Sequence, residues 1–387
     1  MKKWIVLGVV VLLIGGALVA LDIVAKRAAT RMNGVYQTKP YAATEKGKAV
    51  HAQMFIVDLH ADPLLWNRDL NQRGTTGHTD VPRLIEGNVA VQIFGVVTKT
   101  PKNMNPDRND DTTDDIKLLA IAQRWRPSTW TSLKARALYQ ADKLEKLSKA
   151  SEGKLVLIRT REELIAFEQA RKKDPNKVGA ILSLEGMHAL EGKAATVDEL
   201  FAAGFRMLGP AHFFDNEMGG SAHGVEKGGL SEQGREVIRT MEAKGMTIDL
   251  AHSSAKTMEE VLAMATKPVV VSHTGVKATC ENNRNLTDAQ LSAVAKNGGV
   301  VGIGFWKTAT CGTDAKSIAK AIRHAVNVAG IDHVGLGSDY DGAVPAPFDV
   351  AGLVELTDAL IAVGFNEEEL RKILGGNAMR VLRSNLP

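Results

Sequence analysis

Residues 55–66 read FIVDLHADPLLW, an apolar run of strand type that ends in a histidine and an aspartate one residue apart. Side chains alternate faces along a strand, so His60 and Asp62 stand on the same side. Pro63 then removes a backbone donor and stops the strand. An imidazole and a carboxylate held together suit a divalent ion of the zinc type. The same pair also occurs at ordinary capped strand ends, so its meaning depends on the rest of the chain.

Eight short runs rich in Val, Ile and Leu recur, at 55–59, 89–97, 178–184, 205–210, 246–250, 268–272, 299–305 and 333–337. Continuous apolar strands separated by helix-period segments imply a parallel sheet covered on both faces. Eight such units predict an α/β fold, a (β/α)8 TIM barrel of the metal-dependent hydrolase type. Segments 231–244, 255–265, 287–297, 314–329 and 350–363 read as the connecting helices, the first opening at a capping serine and stopping before Gly245. Segments 366–374 and 377–384 read as terminal helices packed on the outside. The stretch 98–174 is too long for one connection. Its polar start, KTPKNMNPDRNDDTTDD, predicts a surface excursion near the barrel mouth, followed by helices around 116–125 and 133–147.

Barrels of this type carry their chemistry at the C-terminal ends of the strands. There the chain places His60 and Asp62 (first run), Glu185 (third), His212 (fourth), His252 (fifth), His273 (sixth) and Asp339 (eighth). Each has an ordinary structural alternative: Glu185 as a helix-cap partner, His252 as support for a cap at Ser253 or Ser254, His273 as a core histidine, Asp339 or Asp341 as turn residues. Their convergence on one mouth favours a site. His60, Asp62, His252 and His273 suit zinc or a similar ion, and Glu185 can bridge two ions through its two oxygens. Two ions can share a water and turn it into a nucleophile at neutral pH. That leaves Asp339 to carry protons and His212 to polarise a carbonyl. Arg284, in the loop after the sixth run, can hold a substrate carboxylate. His51, His78, His188, His223, His324 and His333 lack such placement and read as surface or structural.

The totals narrow the alternatives. The 387 residues are 44% apolar, enough for a well-formed core, and the net charge is only +4. Basic residues are scattered without aromatic interleaving, which argues against a nucleic-acid partner. Two cysteines, Cys280 and Cys311, are too few for a thiolate metal cluster, so His, Asp and Glu must hold any ion. The first residues, with an unbroken apolar run from Trp4 to Leu21 flanked by basic residues, read as a signal anchor over 1–31 in preference to a cleaved signal peptide. Residues 32–50 read as a tether and 51–387 as the barrel. Such an anchor predicts a membrane partner and a catalytic domain outside the cytoplasm, periplasmic or at the cell surface.

The blocks VDLHADP, LSLEGMH, GPAHFFDN, IDLAHSS, VVVSHTGVKATCENNRN and GLGSDYDG, with a closing GGNAMRVL, resemble in order the signature of the membrane dipeptidase (renal dipeptidase) family of the amidohydrolase superfamily. The resemblance spans residues 55–381. It implies that His60 and Asp62 bind one zinc ion, that His252 and His273 bind a second, and that Glu185 bridges them. It also implies a substrate-binding role for His212, a carboxylate-binding role for Arg284, and a catalytic role for Asp339 in place of Asp341. The family cleaves dipeptides, including some with a D-residue at the C-terminal position. Its members can carry a disulfide at positions matching Cys280 and Cys311, which suits an oxidising compartment. Animal members have a C-terminal lipid-anchor signal, whereas this chain ends Ser384-Asn385-Leu386-Pro387 and carries its hydrophobic segment at the front.

The expectation is therefore a zinc-dependent dipeptidase, with a homodimer left open. The rivals are another metal-dependent hydrolase on the same scaffold, such as a lactonase or amidase, and an anchored binding protein that has lost catalysis. A carboxylated-lysine bridge needs a lysine near the fourth strand end, where this chain has Pro210, Ala211 and His212.

Overall fold

The computed structural model describes residues 2–387, with the side chains at positions 2–3, 5–14 and 17–18 outside that description. The strands are β1 (Ile56–Ala61), β2 (Val89–Phe94), β3 (Leu155–Leu157), β4 (Val178–Leu184), β5 (Phe205–Leu208), β6 (Thr247–Ile248), β7 (Val270–Thr274), β8 (Val300–Ile303) and β9 (Val334–Leu336). They run parallel in the order β6-β5-β4-β2-β1-β9-β8-β7. A bridge between Asp249 and Val270, with the Leu250 N–H donating to the Val270 carbonyl at 2.7 Å, joins β6 to β7 and closes the ring. All eight expected runs supply strands of this barrel.

The ninth strand, β3, was not expected. It pairs only with the start of β4, from Leu155 opposite Val178 to Leu157 opposite Ala180. It lies within the long excursion, which also holds helices Asp115–Ala122, Leu133–Ala150 and Arg161–Lys173. The connecting helices start where their caps dictate. Ser231, Thr287 and Asp314 each accept a hydrogen bond from the N–H three residues on.

The end of the chain differs from expectation. The helix Asn377–Asn385 does not join the outer helices but crosses the N-terminal ends of the strands. Asn377 donates to the carbonyls of Ile331 and Val334, Arg380 to that of Gly298, and Asn385 to that of Pro268. Carbonyls at the starts of strands need donors, and this helix brings three donor side chains alongside its apolar Met379, Val381 and Leu382. Those three pack in one cluster with Val57, Leu59, Val91, Ile93, Ile181, Met207, Val270 and Val300, drawn from six strands.

The segment expected as a tether lies against the barrel. Tyr36 and Gln37 donate their N–H groups to Ala346 and Pro347, and the Tyr41 hydroxyl donates to Asp349 at 2.7 Å. The helix Glu45–His51 then packs on the helix Leu353–Ala362. Side-chain donors of Gln37, Tyr41 and Thr44 that match Glu355, Asp349 and Asp358 explain why a polar stretch is ordered here. Before it runs a helix, Lys2–Met32. Among the described residues no helix is long and apolar enough to cross a membrane. Of the anchor expected over 1–31, the apolar run 4–21 falls largely on side chains outside the description.

Candidate active site

β1 delivers the first two groups. Pro63 opens a single 3-10 turn, Pro63–Leu65, so the strand stops as anticipated and Asp62 turns back beside His60. His60 Nε2 lies 3.2 Å from Asp62 Oδ2. β9 is laced to the same strand end, with Asp339 N–H donating to the His60 carbonyl and Asp62 N–H to that of Tyr340. Below them the buried Asp58 accepts from the Ser338 hydroxyl at 2.6 Å, the Ser338 N–H at 2.8 Å and Gln92 at 2.9 Å. These bonds set the register between β1, β2 and β9, and with it the spacing of the groups above.

Glu185 follows β4 and stands between two sets of donors. Its Oε1 is 3.4 Å from His60 Nε2, while its Oε2 is 3.2 Å from His252 Nε2, 3.5 Å from His212 Nε2 and 3.7 Å from His273 Nε2. The Nε2 atoms of His252 and His273 are 2.9 Å apart, and the Ser272 hydroxyl, 2.9 Å from His273 Nδ1, sets that ring's orientation. Ligand atoms fall into three groups, His60–Glu185–His273, Glu185–His212–His252 and His60–Asp62–Asp339, each within 4.8 Å. All seven groups expected at the strand ends therefore meet at one place.

Their electrostatics ask for a cation. Burial pushes His212, His252 and His273 well below the usual imidazole range, leaving neutral rings of the ligand form. Burial also raises Glu185 to about 7, against the pull of His60. Burial opposes charge on His60, yet Asp62 and Glu185 push its pKa well up. Glu185 Oε2 and Asp62 Oδ1 are buried without hydrogen-bond partners. Unpaired carboxylate oxygens, of which Glu185 Oε2 faces the neutral rings of His212, His252 and His273, are costly unless a positive charge sits among them. Gly95, at the end of β2, completes the fit, because a Cβ there would run into Asp62 Oδ1 and His60 Cε1. His, Asp and Glu donors so arranged fit divalent ions of the zinc type.

Two residues of the site sit in the left-handed region, His252 at φ +62° and Asp339 at φ +60°. Such backbone is uncommon outside glycine and is held only where its surroundings impose it. Asp341 shares that conformation at φ +62°, but its carboxylate is engaged elsewhere, by Arg68 at 2.6 Å, the Thr79 hydroxyl at 2.6 Å and the His78 N–H at 2.9 Å. Asp339 instead opens to the mouth. Burial, then Asp62 and Glu185, push its pKa well up. Arg284 donates to the His273 carbonyl at 2.6 Å, and its guanidinium lies 5.7 Å from the Trp306 ring centre. Enclosure lowers its pKa only to about 10, so it stays charged at neutral pH. Cys280 and Cys311 form a disulfide, Cα–Cα 5.2 Å, which fastens the Arg284 loop to the segment that follows Trp306.

A model of the membrane dipeptidase family, peptidase family M19, matches residues 44–385. The chain belongs to this family. An uncharacterized dipeptidase of Schizosaccharomyces pombe is 28% identical over 365 residues, covering 88% of this chain and 82% of that protein. The crystal structure of dipeptidase AC, a metallopeptidase of family M19, is 25% identical and superposes with a TM-score of 0.71 over 86% of this chain and 99% of its own. A metallopeptidase from Rhodobacter sphaeroides, solved with a phosphinate mimic of the dipeptide L-Ala-D-Ala, is 24% identical with a TM-score of 0.69 over 86% of this chain and 99% of its own. Family membership makes the chain a metallo-dipeptidase.

In this dipeptidase two histidines that the sequence marks only as surface or structural, His188 and His223, lie buried beside the site. His188 Nε2 lies 2.9 Å from the Thr98 hydroxyl, and burial lowers its pKa to about 3. The His223 ring centre is 5.3 Å from that of His252. Neither follows a strand directly, so placement at strand ends could not find them. The excursion does reach the mouth, where Asn109 N–H donates to the His223 carbonyl and Asn283 donates to Asp107 at 2.8 Å.

Proposed function

We propose that this dipeptidase hydrolyses free dipeptides with two zinc ions, one held by His60 and Asp62, the other by His252 and His273, with Glu185 between them. The observation that carries this reading is that the two oxygens of Glu185 face different donors, His60 on one side and His252, His273 and His212 on the other. Such ions, when bound, supply Lewis acidity and lower the pKa of a water.

The chain's own residues supply the remaining steps. Arg284 clamps the C-terminal carboxylate, and because it sits one residue beyond the scissile bond it selects dipeptides over longer chains. His212 steadies the developing oxyanion through Nε2. Asp339 takes a proton from the attacking water and passes it to the leaving amine. The L-Ala-D-Ala mimic bound by the Rhodobacter sphaeroides enzyme supports including a D-residue at the C-terminal position.

The test is hydrolysis of L-L, L-D and N-acetylated dipeptides by the full chain in detergent, with zinc and with chelator. Cleavage of free dipeptides that chelator abolishes and zinc restores is the expected result. No cleavage of any dipeptide by chains carrying two metals each would refute it. Arg284→Met should raise KM by about 10- to 100-fold, the scale of a lost hydrogen bond to a charged group, and an unchanged KM would refute the clamp.

The apolar run from Trp4 to Leu21 and the disulfide support an anchored, extracytoplasmic enzyme. An alkaline wash of membranes should leave the chain in the pellet. Its release into the supernatant would speak against an anchor.

A further inference from the structure

We propose that His223 determines specificity by accepting a hydrogen bond from the side chain of the substrate's C-terminal residue, favouring dipeptides that end in a hydroxyl or carboxamide side chain. The assignment rests on the Arg284 clamp proposed above.

His223 lies in the loop after β5, across the barrel from β9 and Asp339. It is 2% exposed. Its Nδ1 is 2.5 Å from the Pro106 carbonyl. A carbonyl can only accept, so Nδ1 carries the proton. The ring is buried away from water, which disfavours its charged form, and with the proton on Nδ1 its Nε2 is left a bare acceptor. That Nε2 is buried and has no partner among the described residues. A buried acceptor left unpaired is costly, and a donor on a bound molecule would complete it.

The neighbours of the ring say which part of the substrate. Its centre is 4.8 Å from that of Phe213 and 5.3 Å from that of His252, and the Pro106–Asp107 segment against it also meets the Arg284 loop, where Asn283 donates to Asp107 at 2.8 Å. It thus stands between a candidate metal ligand and the carboxylate clamp, beside the residue that Arg284 holds. The scissile nitrogen belongs to Asp339, on the opposite strand. On the residue that Arg284 holds, whose scissile nitrogen is so assigned, the donor that can meet Nε2 is the side chain. A neutral acceptor favours serine, threonine, asparagine or glutamine there, and rejects an apolar side chain because its lone pair then stays unpaired.

The experiment compares kcat/KM for Ala-Ser, Ala-Ala and Ser-Ala, the serine of Ala-Ser in both configurations, using the zinc-loaded full chain in detergent. His223→Asn keeps a donor at the δ position for Pro106 but has no ε acceptor, whereas His223→Gln places an oxygen near the position of Nε2. The Ala-Ser to Ala-Ala ratio should fall about tenfold in His223→Asn, the scale of one unpaired buried acceptor, and recover in His223→Gln. The proposal is overturned if that ratio is the same in His223→Asn and wild type. It is equally overturned if all three substrates weaken together, as a mere loop latch to Pro106 would give, or if only Ser-Ala responds. Failure of the clamp shows separately, as Arg284→Met cleaving all three substrates like the wild type.

Discussion

Glu185→Ala is expected to lose bound metal and activity together, with kcat/KM falling by about a thousandfold or more. The magnitude follows from the several kcal/mol of transition-state stabilisation that metal ions contribute to hydrolysis. Among the described residues Glu185 is the one carboxylate within 3.7 Å of His60, His212, His252 and His273 alike. Without it, four imidazoles would face one another with neighbouring carboxylates, Asp62 and Asp339, on the His60 side alone. The second ion would then lack the anionic ligand that offsets its charge. Alanine leaves space and adds no clash, so the fold itself should survive. Metal content by atomic absorption, read beside turnover, decides the matter. Full activity at undiminished metal content would sink the two-metal reading.

Asp339→Asn should behave differently, with kcat down by about 10²–10⁴-fold, the usual range for removing a general acid–base group, and metal content close to wild type. Asparagine accepts the left-handed backbone that Asp339 adopts at φ +60°. It keeps an oxygen near His60 and Asp62 but cannot carry a proton between water and amine. Asp339 also falls in a potential ligand group with His60 and Asp62, so the metal measurement separates the two roles. Loss of an ion in Asp339→Asn would make it a ligand. A kcat within tenfold of wild type would remove it from proton transfer.

The barrel and the site were legible for related reasons. A strand buried on both faces must be apolar along its length, so runs such as 178–184 mark themselves, and that run matches β4, Val178–Leu184, residue for residue. Polar residues that end such runs are costly unless they serve chemistry or a cap, which is why His60, Glu185, His252 and Asp339 stand out in the sequence. β3, three residues long, and β6, two residues long, show the limit, since periodicity carries little information over so few positions. β6 was found only because Met246 and Leu250 extend its apolar run.

The amino-acid sequence by itself determined the strand count of the closed barrel, the residues at its mouth and the family, because each depends on local pattern or on motifs read in order. Only the tertiary structure decided which groups share the site beyond the strand ends. His188 and His223 reach it through loops, and Gly95 matters because its missing Cβ makes room for Asp62 and His60. The last helix closes the base of the barrel and residues 36–51 lie against its flank, both through donors and acceptors from distant segments, as Asn385 with Pro268 and Tyr41 with Asp349. Pairings of that kind follow from where the folded chain brings its segments together, which no stretch of sequence encodes alone.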